Sequence, residues 1–238
     1  MDWGFVLYCS EFRELYVDGE ERVDLGVVTV DLRRINSELV GVLVRYGDTE
    51  LFQGTISVSS EKPVAIMPHP PSGGKYGAEC LLARFYSDIY VPPGEATSVY
   101  QQVPLDIGLY HGSALITVVP VRPKYALYGP PDLGDLCRYS SSDVVQDLSP
   151  CLKTPIRIRL FNTSKAVVRV TKAVVPLRGL GLYLSPEKMP LITSARLVAH
   201  SQSYAEVTTE LLPSLEVEGV SKLLVEPSVA TYIMRYGL

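Results

Sequence analysis

The sequence predicts a mainly β protein of two packed β-sandwich-like lobes, jelly-roll or Ig-like, with little helix. Short apolar segments alternate with polar residues along the chain. Eighteen glycines and eighteen prolines supply frequent turns. Almost no segment has helical periodicity. A chain of 238 residues can form one or two β domains, and we predict lobes over residues 1–120 and 121–238.

The first lobe is predicted to be a series of short strands. Residues 3–9 form the first of them, and Asp18-Gly19 after a second strand predicts a hairpin turn. Further strands are predicted over residues 27–32, 40–46, 50–58, 80–86, 89–91, 99–103, 107–111 and 114–121. Residues 67–77 are rich in proline and glycine and predict a surface loop. That loop carries His69 at a position where functional residues are frequent, although most isolated histidines have no catalytic role.

The central stretch Lys124–Tyr139, KYALYGPPDLGDLCRY, opens the second lobe. Its first strand stops at Pro130-Pro131 because proline cannot donate to a sheet ladder. Fifteen tyrosines against one tryptophan also favour a binding surface, although single tyrosines often only cover sheet edges. The candidate ligand-binding residues of this stretch are Lys124, Tyr125, Tyr128, Asp132, Asp135, Arg138 and Tyr139.

The remaining chain predicts a short helical turn and further strands. The turn covers residues 142–148. Ile156 and Ile158 alternate with Arg157 and Arg159 and predict a half-buried strand. Other strands are predicted over residues 166–177, 180–184, 195–201, 206–212, 222–226 and 229–235. Residues 195–212 would also fit a helix.

The charges are segregated although the net charge is only −4. The first 61 residues carry twelve acidic side chains and five arginines, whereas residues 153–178 carry no acidic side chain. The predicted basic face comprises Arg157, Arg159, Lys165, Arg169, Lys172 and Arg178. It would bind a polyanion or anionic surface, or face the acidic half within one molecule or across a dimer. A pI near 5.5 favours the structural explanation and argues against a general nucleic-acid binder.

The run KYALYGPP…G…CRY, preceded by VPLDIGLY, resembles an uncharacterised archaeal protein family known only as a domain of unknown function. The resemblance extends upstream through EKPVAIMP and YVPPGEATSVYQQVP and downstream into IRIRLFNTS. It implies an archaeal origin and supplies no catalytic residue. Only two asparagines in the chain are also typical of thermophile proteins.

Common catalytic and cofactor motifs are absent from the sequence. There is no Gly-x-Ser-x-Gly elbow and no phosphate-binding Gly-rich loop with Lys-Ser or Lys-Thr. The three histidines have no metal-ligand spacing, so we expect no metal and no cofactor. The four cysteines form no Cys-x-x-Cys pair. Buried thiols are expected, with a Cys137–Cys151 disulfide as the alternative.

The favoured function is a non-enzymatic binding or assembly module that forms a homodimer. No apolar run reaches the roughly 18 residues of a membrane-spanning helix, which predicts a soluble cytoplasmic protein. One alternative is a carbohydrate-active or other hydrolase that uses Asp132 or Asp135 with His69 or His111. The other alternative is polyanion binding by the basic face, which would be strongly salt-dependent.

Overall fold

The computed structural model describes residues 9, 12–59, 61–213 and 222–238, and these residues confirm the mainly β prediction. They form nineteen strands in four sheets, together with one short helix, α1, at Ser142–Val145. Short 3₁₀ turns lie at Gly74–Tyr76, Pro150–Leu152 and Leu177–Gly179. The predicted first strand over residues 3–9 lies, except for Cys9, outside the described residues.

The first sandwich is built from two four-stranded sheets. The meander sheet pairs its strands in chain order: β2 (Glu20–Asp24), β3 (Val28–Arg34), β4 (Leu39–Tyr46) and β5 (Thr49–Ser57). The β9 sheet has the order β1 (Arg13–Leu15), β6 (Val64–His69), β9 (Asp106–His111) and β10 (Ala114–Val119). Alternate residues of β3, Val28, Val30 and Leu32, are buried with residues of β6 and β9 in one core. This period-two burial is what the sequence pattern predicts for a half-buried strand.

The second sandwich pairs a four-stranded sheet with a seven-stranded one. The β7 sheet has the order β11 (Tyr125–Tyr128), β12 (Asp135–Ser140), β7 (Cys80–Val91) and β14 (Val168–Pro176). The large sheet has the order β18 (Lys222–Val225), β15 (Leu182–Leu184), β16 (Pro190–Ala199), β13 (Lys153–Asn162) and β8 (Ala96–Pro104), with β17 (Ala205–Pro213) beside β16 and β19 (Thr231–Met234) beside β17. Residues of both sheets share a second core.

The two cores are not consecutive segments of the chain. Strands β7 and β8 belong to the second core, and the chain then returns to the first core for β9 and β10. After β12, Val145, Leu148 and Leu152 also pack on the first core. The chain therefore passes repeatedly between the sandwiches. The division into domains at residue 120 stays a prediction.

Asp106 contacts several of the segments that connect the two sandwiches, and its carboxylate is fully buried. One oxygen accepts hydrogen bonds from the Ser72 N–H and hydroxyl, both at 2.7 Å, and Ser72 lies on the β6 to β7 connection. The other accepts from the Val121 N–H at 3.1 Å, on the β10 to β11 connection. The Arg138 guanidinium, also fully buried, donates to both oxygens at 2.8 and 3.3 Å. This ion pair ties β12 of the second sandwich to β9 of the first.

His69 lies beside this ion pair rather than on an exposed loop, so the predicted loop over residues 67–77 is wrong in its first part. Strand β6 continues to His69, which stands opposite Asp106 of β9, and Pro70 and Pro71 are buried. Burial lowers the pKa of His69, opposed by its hydrogen bond with the Pro70 carbonyl and by the charge of Asp106.

One local prediction is confirmed and one is wrong. Residues 195–212 form strands and a turn rather than a helix. Asp18-Gly19 is not a hairpin turn, because β1 pairs with β6 whereas β2 pairs with β3.

The cysteines form two disulfides, which corrects both expectations for them. Cys9 is bonded to Cys151, and Cys80 to Cys137. Cys80 and Cys137 are directly opposite each other on neighbouring parallel strands, with Cα atoms 4.6 Å apart. The Cys9–Cys151 bond joins two segments that both pack on the first core. Neither juxtaposition can be derived from the spacing of the cysteines, because each depends on how the strands are ordered.

Candidate functional site

A pocket of about 540 Å³ lies on the β7 sheet, at the base of the central turn. Its walls come from all four strands of that sheet and from a residue that follows β19. The polar lining side chains are Arg84, Tyr128, Tyr139, Lys172 and Tyr236. Its volume lies in the range of small-molecule sites, roughly 300 to 1,000 Å³.

The pocket contains two cations on neighbouring strands. Lys172 of β14 stands directly opposite Arg84 of β7. Like charges at directly opposed positions destabilise a sheet, and no described carboxylate lies within 4.0 Å of either side chain to offset the repulsion. Burial lowers the pKa of Lys172, and the Arg84 charge lowers it further. The repulsion between these two cations therefore lowers the stability of the fold.

An irregularity of β7 adjoins the cation pair. After Lys172 opposite Arg84, the next registered pair is Val170 opposite Ile89. Residues 85–88 of β7 therefore face Thr171 alone, and Tyr86 within them is 91% exposed. Bulges of this kind re-aim side chains and are frequent beside functional sites.

The opposite wall is a tyrosine cluster that is held in place by main-chain contacts. The Tyr128 hydroxyl donates to the Gly237 carbonyl at 3.0 Å and accepts from the Tyr236 N–H at 3.1 Å. The Tyr236 hydroxyl donates to the Leu133 carbonyl at 3.2 Å. The two rings meet edge to face with centroids 5.6 Å apart, and the Lys172 ammonium lies 5.7 Å from the Tyr128 ring centroid.

Glycine is required at the turn beside this cluster. Gly129 has a φ of +118°, and a Cβ at this position would lie 2.5 Å from the Tyr236 ring. The turn itself is closed by bonds from the Leu133 and Gly134 N–H groups to the Pro130 carbonyl, at 3.2 and 2.7 Å. The Pro-Pro turn therefore fixes the rim of the pocket, since both proline φ angles are preset.

Other hollows on the molecule differ in their electrostatics. Hollows of about 590 and 720 Å³ lie along the meander sheet. Their cations are already paired: Arg22 and Arg45 with Asp31, at 3.7 and 2.7 Å, and Arg33 with Glu20 at 3.4 Å. The β7-sheet pocket is thus the better candidate for an anionic ligand, because its two cations are not neutralised by a described carboxylate.

Comparison with known proteins gives a family but no activity. A family model described as "Protein of unknown function (DUF432)" matches residues 12–235. The chain belongs to the DUF432 family. The expected membership in a family of unknown function is thereby confirmed, whereas archaeal origin and the central run as a family motif stay predictions. No curated protein and no solved structure matches this DUF432 chain.

The central stretch of the DUF432 protein does not converge on one ligand. Tyr128 and Tyr139 line the pocket. Arg138 is instead buried with Asp106 and donates to the Ser72 carbonyl. The other four candidates have separate positions: Lys124 and Asp132 are exposed, Tyr125 donates to the Gly73 carbonyl at 3.2 Å, and Asp135 accepts a hydrogen bond from Tyr232.

The predicted basic face is divided between two sheets. Arg157 and Arg159 lie on β13 of the large sheet, where Arg159 is paired with Glu210. Burial raises the pKa of Glu210, but its bonds with Arg159 and Ser194 outweigh that effect and lower it. Arg169 and Lys172 lie on β14 of the β7 sheet, and the remaining two, Lys165 and Arg178, are exposed in turns.

The two histidines of the predicted hydrolase site each contact other residues. His111 Nε2 accepts from the Ser59 N–H at 3.0 Å, and His69 lies beside Asp106. The hydrogen bonds of the described residues join neither histidine to Asp132 or Asp135. Among all the residues that the structure describes, no group of three or more His, Cys, Asp or Glu is arranged to hold a metal ion. None of the described helices has the length and hydropathy needed to cross a membrane.

Sequence reasoning missed Arg84 and Tyr236 and assigned Lys172 to a different surface. The available signal was Arg84 itself, a charged residue directly after the four buried residues 80–83. Its pairing with Lys172 depends on β7 and β14 being neighbours, which the sequence pattern does not reveal.

Proposed function

We propose that this DUF432 protein is a non-enzymatic binding module whose β7-sheet pocket takes a small anionic ligand. The observation that carries the proposal is the Arg84–Lys172 pair, two directly opposed cations in a pocket with no described carboxylate partner. An anion placed between them would relieve their repulsion and accept charge-assisted hydrogen bonds from both, each worth about 1.5–3 kcal/mol.

The test is a calorimetric titration of the protein with inorganic sulfate and phosphate at low ionic strength. We expect Arg84→Gln and Lys172→Gln each to weaken binding by roughly tenfold or more, in keeping with one lost charged hydrogen bond. Arg169→Gln is the matched control, since Arg169 lies on the same strand but is already paired with Asp88 at 2.8 Å. Equal losses in all three variants would indicate a general charge effect and contradict the proposed site.

The non-enzymatic part of the proposal is supported by the separation of the histidines from the carboxylates of the central stretch. Turnover in a broad hydrolase screen that Arg84→Gln and Lys172→Gln abolish would make the pocket an active site instead. Assembly as a homodimer, a cytoplasmic location and an archaeal thermophilic origin belong to the same proposal. Light scattering over a range of protein concentrations tests the dimer, and a single monomeric mass would refute it.

A further inference from the structure

The pocket has a charged end and an apolar end. Arg84 and Lys172, on the neighbouring strands β7 and β14, form the first, and Pro130 and Tyr236, beside β11 at the other edge of the sheet, contribute to the second. We infer that its ligand is a phosphate ester of a ring compound, with the phosphate between the two cations and the ring against Tyr139 and Tyr236. This inference rests on the proposed function and names the ligand class.

The charged end suits one dianionic group rather than a polymer. Two cations at a single opposed pair of positions can both contact the oxygens of one phosphate. The neighbouring cation on β14, Arg169, is bound to Asp88. Arg157 and Arg159 lie on the other sheet. Among the described residues that line the pocket, Arg84 and Lys172 are the two cations, whereas a polyanion needs several phosphate contacts.

The pocket is too large, and its apolar end too aromatic, for a bare anion. A volume of about 540 Å³ leaves most of the pocket empty once a single phosphate is placed. Tyr236 is 40% exposed, so its ring has surface available for a ligand. Aromatic side chains bind flat rings through stacked or edge-to-face contacts.

The aromatic wall is also preorganised for such a ring. The Tyr236 ring is held at its hydroxyl by the Leu133 carbonyl and at its main chain by Tyr128. It lies against Gly129, where any side chain would displace it. A wall that is ordered before binding loses little conformational entropy when the ligand enters.

A set of three probes separates the two ends of the pocket. Phenyl phosphate carries the anion and the ring, inorganic phosphate the anion alone, and phenol the ring alone. We expect phenyl phosphate to bind the wild-type protein about tenfold or more tighter than phosphate, as a modest gain from ring burial implies. Phenol should bind more weakly than either, and Arg84→Gln should weaken both phosphate probes.

Substitutions at the apolar end should act mainly on the ring. Tyr236→Ala, and Tyr139→Ala as a second variant outside the Tyr128–Tyr236 hydrogen bonds, should reduce the ratio of phenyl phosphate affinity to phosphate affinity. Equal wild-type affinities for phenyl phosphate and phosphate would overturn the inference and leave the proposed function standing. No binding of any anion would overturn both. Tighter, salt-dependent binding of a long polyphosphate would also overturn it, in favour of a polymer.

Discussion

Removing one charge of the buried Asp106–Arg138 pair should destabilise the protein more than removing both. Both side chains are fully buried, and the guanidinium donates to each carboxylate oxygen. Asp106→Asn leaves Arg138 charged without its counter-ion and turns an amide nitrogen toward one of its donors. Breaking a buried ion pair in this way costs about 3–5 kcal/mol.

Arg138→Met should cost about 3 kcal/mol, near the lower end of that range. The Asp106 carboxylate would lose its counter-ion but keep the N–H and hydroxyl of Ser72 and the N–H of Val121. The double variant buries no uncompensated charge. We therefore expect it to cost about 2 kcal/mol or less, because replacing both members of a buried ion pair is often nearly neutral.

The assay is urea unfolding of the four proteins of this double-mutant cycle, followed by fluorescence and by circular dichroism to test for a single transition. Asp88→Asn serves as the control. It removes one member of the exposed Arg169 pair and should cost no more than about 1 kcal/mol. If the double variant lost the sum of the two single losses, the pair would not be coupled and the reasoning would be refuted.

Three further predictions concern the pocket and its supports. Affinity for sulfate should fall as the pH rises through the Lys172 pKa, which burial and Arg84 hold below the ordinary 10.5. Sulfate is the probe because its own charge is constant with pH. In Lys172→Arg, titrations should show the loss of affinity only at higher pH. Replacing Cys80 and Cys137 by serine opens a loop of 57 residues and should lower the free energy of unfolding by about 4 kcal/mol in the chain-entropy estimate, and denaturant midpoints unchanged from wild type would contradict it. Gly129→Ala should cost about 1–3 kcal/mol in unfolding free energy because of the φ of +118° and the Tyr236 contact. Gly47→Ala should cost less, because a φ of +53° lies in the left-handed region that other residues can adopt and no described atom lies near the added Cβ.

The sequence predicts individual strands well because alternation directly reports which residues are buried. Strand β13 matches the predicted alternation, because Ile156 and Ile158 are buried and Arg157 between them is half-buried. Alternation does not say which strand lies beside which. The predicted basic face assumed that consecutive strands share a surface, but β13 and β14 belong to different sheets.

The same limitation explains the candidate site. Arg84 and Lys172 are brought together by the antiparallel pairing of β7 with β14. Two of the predicted residues, Tyr128 and Tyr139, line the pocket because the central stretch does form a strand, a turn and a strand at the rim. Arg138 has a structural role instead, because it is buried in an ion pair with Asp106 of β9. That contact depends on how the strands are ordered between the two sandwiches.

Strand β12 supports both the pocket and the connection between the two sandwiches, through Tyr139 and Arg138 respectively. Adjacent residues of a β-strand point to opposite faces of the sheet, so Arg138 reaches Asp106 while Tyr139 lines the pocket. The Tyr139 N–H is bonded to the Lys124 carbonyl at 2.8 Å, which fixes β12 against the start of β11. Loosening β12 by Asp106→Asn should therefore raise amide hydrogen exchange at Tyr139 and weaken sulfate binding, although Asp106 is not among the pocket-lining residues. If exchange rose and sulfate affinity did not change, the two faces of β12 would be independent, and the pocket would owe its shape to the Pro130 turn and the tyrosine cluster alone.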